Sequence, residues 1–338
     1  MNKGRIIQLL AGVALAAAGL LFFFRDLDTR LLLQELRQIS PAVIVWVIFL
    51  SLATLWLRSI RWKIILPLSP GAHKKGLFPI ITIAYMVNNI MPARLGEAVR
   101  AAMLWKKNGY SLTTSIGSLL LERLIDSMVF LCFFFTPIFF SAALEDLRFY
   151  AFGTAAIVLA LSLFFVFYAF FPASVKSFCL WLISFLPLRF RSRVEKILTE
   201  LMENMNWLFS PAKVVAVLLL SFSVAFCYAL IIFALSHGID NFSLLDSMFG
   251  QAFAALGTAI PLAPGFIGTL HASLQFGLAL TGVPPSDTAA LVILYHALPY
   301  ISVTVAGLFS LSVTNIKFKD ISRADQEIKT TQKEADLL

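Results

Sequence analysis

Long apolar runs separated by short polar stretches recur along this chain. A run of about 20 apolar residues is long enough to cross a bilayer as a helix, and the pattern predicts six such spans. We assign them to residues 6–24, 41–57, 111–141, 149–171, 212–236 and 288–313. The pattern therefore predicts an all-α polytopic membrane protein.

Two shorter apolar stretches, one in each half of the chain, are interrupted by proline and glycine. The first contains Pro92 and Gly96, and the second contains Pro261, Pro264, Gly265 and Gly268. A helix broken at membrane depth is tolerated only where protein buries it or a polar cavity solvates it. Paired breaks in two halves are typical of a transporter binding site. We predict two re-entrant helical hairpins, 77–105 and 248–282, arranged as an inverted repeat.

Composition and charge support a membrane protein without a soluble domain. Hydrophobic residues make up 59% of the chain and charged residues 14%, whereas soluble domains carry about 25% charged residues. The net charge of +8 collects in loops on one side, so we attribute it to the positive-inside rule and not to nucleic-acid binding. Arg58 and Arg61 are counted among these loop residues. The rule predicts that both termini lie in the cytoplasm.

The predicted transmembrane domain covers residues 1–319, with halves at about 1–171 and 206–319. The amphipathic segment 172–205 joins the halves, and we expect it to lie in the cytoplasmic interface near anionic head groups. A polar tail, 320–338, follows. The three cysteines lack metal spacing, and no nucleotide or cofactor motif is visible. We therefore expect neither a metal nor a cofactor.

Six charged side chains fall inside or beside apolar sequence: Arg94, Glu97, Arg100, Glu122, Arg123 and Asp126. Each costs a few kcal/mol at the bilayer centre unless it is paired or hydrated. Helical spacing places Arg94 and Glu97 on one face, and Glu122 and Asp126 on another. We expect a network between Arg94 or Arg100 and these last two carboxylates. Such a network can bind substrate, or it can only hold helices together.

Asn88 and Asn89 precede the first break and could coordinate substrate or cap the following half-helix. The second break leaves free N–H groups around 266–269, where a helix N-terminus would favour an anion such as a lipid phosphate. His271 follows on that half-helix, and His296 lies in the final span. The two histidines could form a polar pair that titrates near neutral pH, or two separately satisfied core residues. Metal binding is the weakest alternative.

Three motifs occur in order along the chain. They are Asn89-x-x-Pro92-x-Arg94-x-Gly96-Glu97-x-x-Arg100, then Glu122-Arg123-x-x-Asp126, then Pro261-x-x-Pro264-Gly265-x-x-Gly268. Together they resemble the lysylphosphatidylglycerol synthetase transmembrane-region family, also called flippase-like domain proteins. The resemblance implies an inner-membrane protein with two re-entrant hairpins that moves lipids. The aminoacyl-transferase domain of the full synthetases has no counterpart in this sequence, so we do not expect synthase activity. The family usually has Glu where this chain has His271, and often Arg in place of His296.

We expect this protein to translocate or bind an anionic phospholipid, or a polyprenyl-phosphate-type lipid, between leaflets. Its partners would be membrane lipids, with a homodimer or a lipid-biosynthetic enzyme as further possibilities. One alternative is a membrane-embedded transferase acting on a lipid-linked substrate, and another is a non-catalytic subunit of an envelope-lipid pathway. The candidate substrate-binding residues are Asn88, Asn89, Pro92, Arg94, Gly96, Glu97, Arg100, Glu122, Arg123, Asp126, Pro261, Pro264, Gly265, Gly268, His271 and His296.

Overall fold

The computed structural model describes residues 19–21, 36, 38–91, 94–259 and 264–314. Within these ranges the regular structure is helical. The helices are α1 (Pro41–Ile65), α2 (Leu77–Ile90), α3 (Leu95–Asn108), α4 (Leu112–Phe140), α5 (Arg148–Phe170), α6 (Pro172–Ile183), α7 (Leu188–Glu203), α8 (Pro211–Leu235), α9 (Leu244–Ala259), α10 (Thr269–Leu280) and α11 (Pro285–Val313). Short 3₁₀ turns cover Ala142–Leu147, Asn206–Phe209 and Pro264–Phe266. The predicted all-α architecture is confirmed.

Five segments in the described ranges are long and apolar enough to cross a membrane. They are α1, α4, α5 with the 3₁₀ turn before it, α8 and α11. These match five of the six predicted spans. Nearly all of the sixth, 6–24, lies outside the described residues, as does the tail 320–338.

The predicted span 41–57 is too short. α1 begins at a Ser40 cap and continues to Ile65, about two turns beyond the prediction. It therefore carries Arg58 and Arg61 as helix residues, and Arg61 is fully buried. Counting these two arginines among the loop residues was wrong. α1 continues past both of them, and both pair with Asp126, which is distant in sequence.

The first broken hairpin consists of α2 and α3, and its two ends meet. The side-chain amide of Asn108, at the end of α3, donates to the backbone oxygens of His73 at 2.7 Å and Lys75 at 2.9 Å, just before α2. At Gly96 an added Cβ would lie 1.9 Å from the carbonyl oxygen of Ala84. The hairpin therefore enters and leaves at one end, and its helices are packed too closely for any residue but glycine.

The second broken hairpin consists of α9 and α10 and is packed in the same way. An added Cβ at Gly257 would lie 2.6 Å from the carbonyl oxygen of Thr269. Near the other end, Phe249 and Leu280 share one apolar cluster. The two helices therefore lie side by side along most of their length, as in the first hairpin.

The helices α1–α4 and α8–α11 make equivalent contacts with each other. α1 packs against α8 in antiparallel sense, since Thr54 lies 3.5 Å from the Tyr228 hydroxyl and Arg61 lies 2.9 Å from Ser221. The first helix of each hairpin packs against the last span of the other half, α2 on α11 and α9 on α4. Each set of helices thus makes the same contacts with the other set, and the two sets run in opposite directions. This is the arrangement of an inverted repeat.

The joining segment 172–205 folds as two helices, α6 and α7. The chain turns at Ser184 to Pro187 between them. α7 packs on α4, where the Asn204 amide donates to the carbonyl oxygen of Thr114 at 3.2 Å. Aromatic side chains of α6, including Phe178 and Trp181, are exposed, which is consistent with contact to lipid.

Candidate functional site

A cavity of about 520 Å³ lies between the two broken hairpins and is bordered by α1, α4, α8 and α11. One part of its wall is polar and charged, and another part is apolar. The polar part is formed by Arg58, Tyr85, Asn88, Asn89, Arg94, Glu97, Arg123, Asp126, Tyr228, Gln251, Tyr295, His296 and Tyr300. The apolar part includes Val129, Phe130, Phe133, Val224, Leu256 and Leu270. Such a wall suits an amphiphilic ligand.

Arg94 connects the two breaks. Its backbone is left-handed, with φ of 50°, which costs about 1–3 kcal/mol for a residue other than glycine. Its guanidinium donates to the carbonyl oxygen of Thr258 in the last turn of α9 and lies 5.8 Å from the Phe266 ring centre. The last carbonyls of a helix lack partners within that helix, so a cation there is stabilising. These contacts offset the backbone strain and hold the hairpin tips together.

The two asparagines before the first break have different partners. The Asn88 side-chain oxygen accepts a hydrogen bond from the backbone N–H of Gly96 at 2.8 Å. Asn88 therefore caps α3, as one of the two sequence interpretations proposed. The Asn89 amide donates to the backbone oxygen of Tyr300 at 3.1 Å and to the Thr304 hydroxyl at 3.0 Å, so it fastens α2 to α11.

Ion pairs connect α1, α3 and α4 behind and along the cavity wall. Arg100 lies 2.6 Å from Glu122, Arg61 lies 2.5 Å from Asp126, and Arg123 lies 2.9 Å from Glu97. The expected network thus forms through Arg100 and Glu122. The other expected links differ, because Arg94 pairs with Glu97 at 3.5 Å and Asp126 is held by arginines of α1.

Arg58 and Arg61 were missed as site residues by the sequence interpretation. Arg61 is enclosed by Asp126, Glu122 at 3.6 Å and the Ser221 hydroxyl at 2.9 Å. The available signal was that apolar residues continue past Arg58 at helical spacing. Ile64 and Ile65 belong to the same run.

The charges of this cluster do not cancel. Among the described residues, the arginines are Arg58, Arg61, Arg94, Arg100 and Arg123, and their carboxylate partners are Glu97, Glu122 and Asp126. Three arginines form the short pairs given above. The other two, Arg58 at 3.3 Å from Asp126 and Arg94 at 3.5 Å from Glu97, share carboxylates already engaged. Both of these arginines line the cavity, so the cluster around the cavity carries a formal surplus of two positive charges.

The two histidines form a hydrogen-bonded pair at the second break. The Gly268 N–H donates to His271 Nδ1 at 3.2 Å, His271 Nε2 lies 3.3 Å from His296 Nδ1, and His296 Nε2 lies 2.8 Å from the carbonyl oxygen of Gly265. That carbonyl can only accept, so His296 carries its proton on Nε2, and His271 must then donate from Nε2. Both rings are therefore neutral. The Gly268 N–H, which we expected to be free for an anion, is used by His271.

The remaining predicted residues are placed as follows. Gly265 has φ of 58°, and an added Cβ would lie 2.9 Å from the backbone oxygen of Asn89, so the two breaks touch there. Pro92 and Pro261 lie outside the described residues, and of Pro264 only the backbone is described. In the part of the chain that the structure describes, no group of three His, Cys, Asp or Glu residues is placed to hold a metal ion.

Comparison with known proteins identifies the family. The family model described as the lysylphosphatidylglycerol synthase TM region matches residues 9–307. The chain belongs to this family. It is 23% identical to a UPF0104 membrane protein of Methanothermobacter thermautotrophicus, over 92% of this chain and 95% of that protein. It is 25% identical to a UPF0104 membrane protein of Methanocaldococcus jannaschii, over 65% of this chain and 91% of that protein. No solved structure matches.

The residues that carried the family resemblance converge on one place in this lysylphosphatidylglycerol synthase TM-region protein. Asn89, Arg94, Glu97, Arg123 and Asp126 line the cavity. Arg100 and Glu122 lie behind them as a buried pair, each with side chains only 4% exposed. The chain is therefore an integral membrane protein whose family motifs meet at a central, positively charged cavity.

Proposed function

We propose that this protein binds an anionic lipid in the central cavity and moves its head group between the leaflets of the membrane. The single observation that carries the proposal is the charge of the cavity wall. Arg58 and Arg94 both line it, and each shares a carboxylate that another arginine already holds at shorter distance. An anionic head group would neutralise them.

Arginine suits this task better than lysine. Its planar guanidinium presents several donors that match phosphate oxygens, and it remains charged in a poorly hydrated site. The Arg58 side chain is 13% exposed and its Nε has no hydrogen-bond partner. A head group would contact the exposed part of this side chain, since the Nε itself is buried.

The apolar part of the wall supports a lipid over a small soluble anion. Phe130, Phe133 and Leu256 border the same cavity as the arginines. Hydrocarbon removed from water there is stabilised by about 25 cal/mol per Å². A phosphate or sulfate ion would not use this surface, whereas the upper part of an acyl or prenyl chain would.

The inverted repeat supports movement of the lipid and not only its storage. In such folds, one half rocks against the other around a site near the bilayer midplane. Here the hairpin tips touch at the cavity through Arg94 and the carbonyl oxygen of Thr258, and through Gly265 and Asn89. We propose that opening these contacts from one side at a time admits the head group from alternate leaflets. We further propose an inner-membrane location with both termini in the cytoplasm.

The contacts of the carboxylates favour translocation over the alternative of a transferase. A general base needs a carboxylate free to accept a proton from its substrate. Glu97, Glu122 and Asp126 each lie within 2.9 Å of an arginine. We therefore propose that the protein leaves its lipid chemically unchanged.

The test is reconstitution in vesicles of phosphatidylcholine containing a trace of acyl-chain-labelled phosphatidylglycerol or, in a parallel sample, phosphatidic acid. An impermeant reductant added outside should bleach the inner-leaflet label at a rate that depends on the protein. Mass spectrometry of vesicles kept without the reductant should recover unmodified lipid. Arg94→Gln should slow this bleaching, whereas Arg148→Gln, which removes half of the exposed pair with Glu145, should not. Bleaching equal to that of protein-free vesicles for both lipids, together with no retention of either lipid by the purified protein, would overturn the proposal.

A further inference from the structure

We infer that the head group recognised by this cavity is a phosphate monoester, a dianion, and not a phosphate diester with a single charge. The inference rests on the proposed function and specifies its ligand. It comes from the number and position of the cavity charges, which the proposed function uses only for their sign.

The first step is the pairing of charges within the described residues. Three carboxylates take one arginine each at 2.5 to 2.9 Å, and these are Arg61, Arg100 and Arg123. Arg58 and Arg94 then remain, with their nearest carboxylates at 3.3 Å and 3.5 Å. Since arginine does not lose its proton in proteins, two positive charges are left for a ligand.

The second step is position. Arg61 and Arg100 are buried behind the wall, with side chains 1% and 4% exposed. Arg58 and Arg94 are more accessible, at 13% and 24%, and both border the cavity. Arg123 borders it too and is 36% exposed, but it already holds Glu97 at 2.9 Å. Both arginines with the weaker carboxylate contacts are thus within reach of a head group.

The third step is the cost of leaving a charge unmatched. A buried charge without a partner is strongly destabilising, because the lost hydration is not replaced. A diester would balance one of the two arginines and leave the other. A monoester would balance both, and its terminal phosphate has three oxygens not bonded to carbon that can accept from both guanidinium groups.

The other polar groups facing the cavity leave this count unchanged. Tyr85, Tyr228, Tyr295 and Tyr300 contribute phenol groups, which carry no formal charge. His296 is neutral in the hydrogen-bonded pair with His271. Glu97 and Asp126 are already included. The lipids of the stated class have a terminal phosphate on a single ester bond, as in a prenyl phosphate or a phosphatidic acid.

The test compares two ligands that differ in one charge. Farnesyl phosphate is a monoester whose second ionisation has a pKa of about 6, so at pH 8 it is a dianion. Its methyl ester has the same chain and a single charge. We expect the purified full-length protein, in uncharged detergent at pH 8, to bind the monoester about tenfold more tightly or better, equivalent to ~1.4 kcal/mol.

The variant arm removes one of the two surplus charges. Arg58→Gln should bring the ratio of the two affinities close to one, because a single positive charge then remains for either ligand. Arg148→Gln, at the exposed pair with Glu145, should keep the ratio of the unmodified protein. If Arg58→Gln does not fold, the ligand pair on the unmodified protein still decides the question.

The outcomes separate the inference from the proposed function. Tighter binding of the monoester, lost in Arg58→Gln, supports both. Equal binding of the two esters, or tighter binding of the methyl ester, overturns the inference while the anionic-lipid function stands. Binding of neither ester above that of uncharged farnesol overturns the proposed function as well.

Discussion

The first hairpin, α2 and α3, and the second hairpin, α9 and α10, are built alike but meet the cavity with different side chains. Each is interrupted midway, and each is closed by a glycine, Gly96 or Gly257, against a backbone oxygen of its partner helix. The first break is surrounded by ion pairs. The second is held by two neutral histidines. The scaffold is therefore repeated while the chemistry is not.

The two halves of the protein supply different kinds of side chain to the cavity wall. The half that contains α1–α4 supplies every charged residue of the cavity wall that the structure describes. The other half supplies phenols, an amide and His296, which orient without adding charge. Under the proposed function, the symmetric scaffold would allow a head group to reach the site from both sides. The asymmetric set of charges would give that head group one preferred orientation.

We expect the largest effect from removing Arg61, which pairs with carboxylates in the half that contains α1–α4. Arg61→Ala should leave Glu122 and Asp126 without their shared buried partner and cost about 3–5 kcal/mol of stability. We expect most of the protein to be lost as aggregate, measured by fluorescence-detected size exclusion and by the thermal unfolding midpoint. The exposed pair offers the control, since Arg148→Ala should change stability by about 0–1 kcal/mol. A normal unfolding midpoint for Arg61→Ala would show that the cluster does not hold the helices together.

The next test addresses the packing that the two hairpins share. Gly96→Ala and Gly257→Ala should each cost about 1–3 kcal/mol through overpacking, and Gly96 is the more severe case because its contact is the shorter one. Their added Cβ atoms would lie 1.9 Å and 2.6 Å from carbonyl oxygens. Gly153→Ala is the matched control, because an added Cβ there meets nothing within 4 Å. Equal unfolding midpoints for all three variants would contradict the close packing of the hairpins.

A substitution that conserves charge separates lipid recognition by the half that contains α1–α4 from the stability of the protein. Arg94→Lys should fold, yet bind anionic lipid about tenfold more weakly, because lysine offers a point charge in place of a planar fork. The measurement is lipid retention by the purified protein, beside Arg148→Lys as the control. Full retention by Arg94→Lys would assign Arg94 to structure alone.

We expect the smallest loss of stability in the half that contains α8–α11. His271→Gln keeps a donor and an acceptor but not the ring geometry, so we expect a loss of about 1 kcal/mol. The sharper measurement is nitrogen NMR of histidine-labelled protein, which contains four histidines. At pH 7 the signals removed by His271→Gln and His296→Gln should both be those of neutral Nε2–H tautomers. An imidazolium signal for either ring would contradict the neutral character of the second hairpin.

Much of the fold was predictable because apolar run length and helix-breaking residues are local signals. The five described spans and both hairpins follow from them. The end of α1 was not predictable in this way. An arginine beyond an apolar run is normally a loop residue, and what makes Arg61 a core residue is Asp126 on α4 and Ser221 on α8.

The candidate site was predictable in its charged members but not in its pairing. Spacing along a helix correctly placed Arg94 beside Glu97. It could not show that Asp126 faces α1, since that depends on how distant helices pack. The contact of His271 with His296 likewise depends on how α10 lies against α11, and the sequence left it open.

The most direct test of the central claim is a structure of the full chain in nanodiscs that contain an anionic phospholipid. The account predicts lipid density in the central cavity, with the phosphate within hydrogen-bond distance of Arg58 and Arg94 and the chain along Phe130 and Leu256. The same density should be weak or missing in nanodiscs of phosphatidylcholine alone. A cavity that holds no head group in either lipid, or a phosphate bound only away from these two arginines, would contradict it.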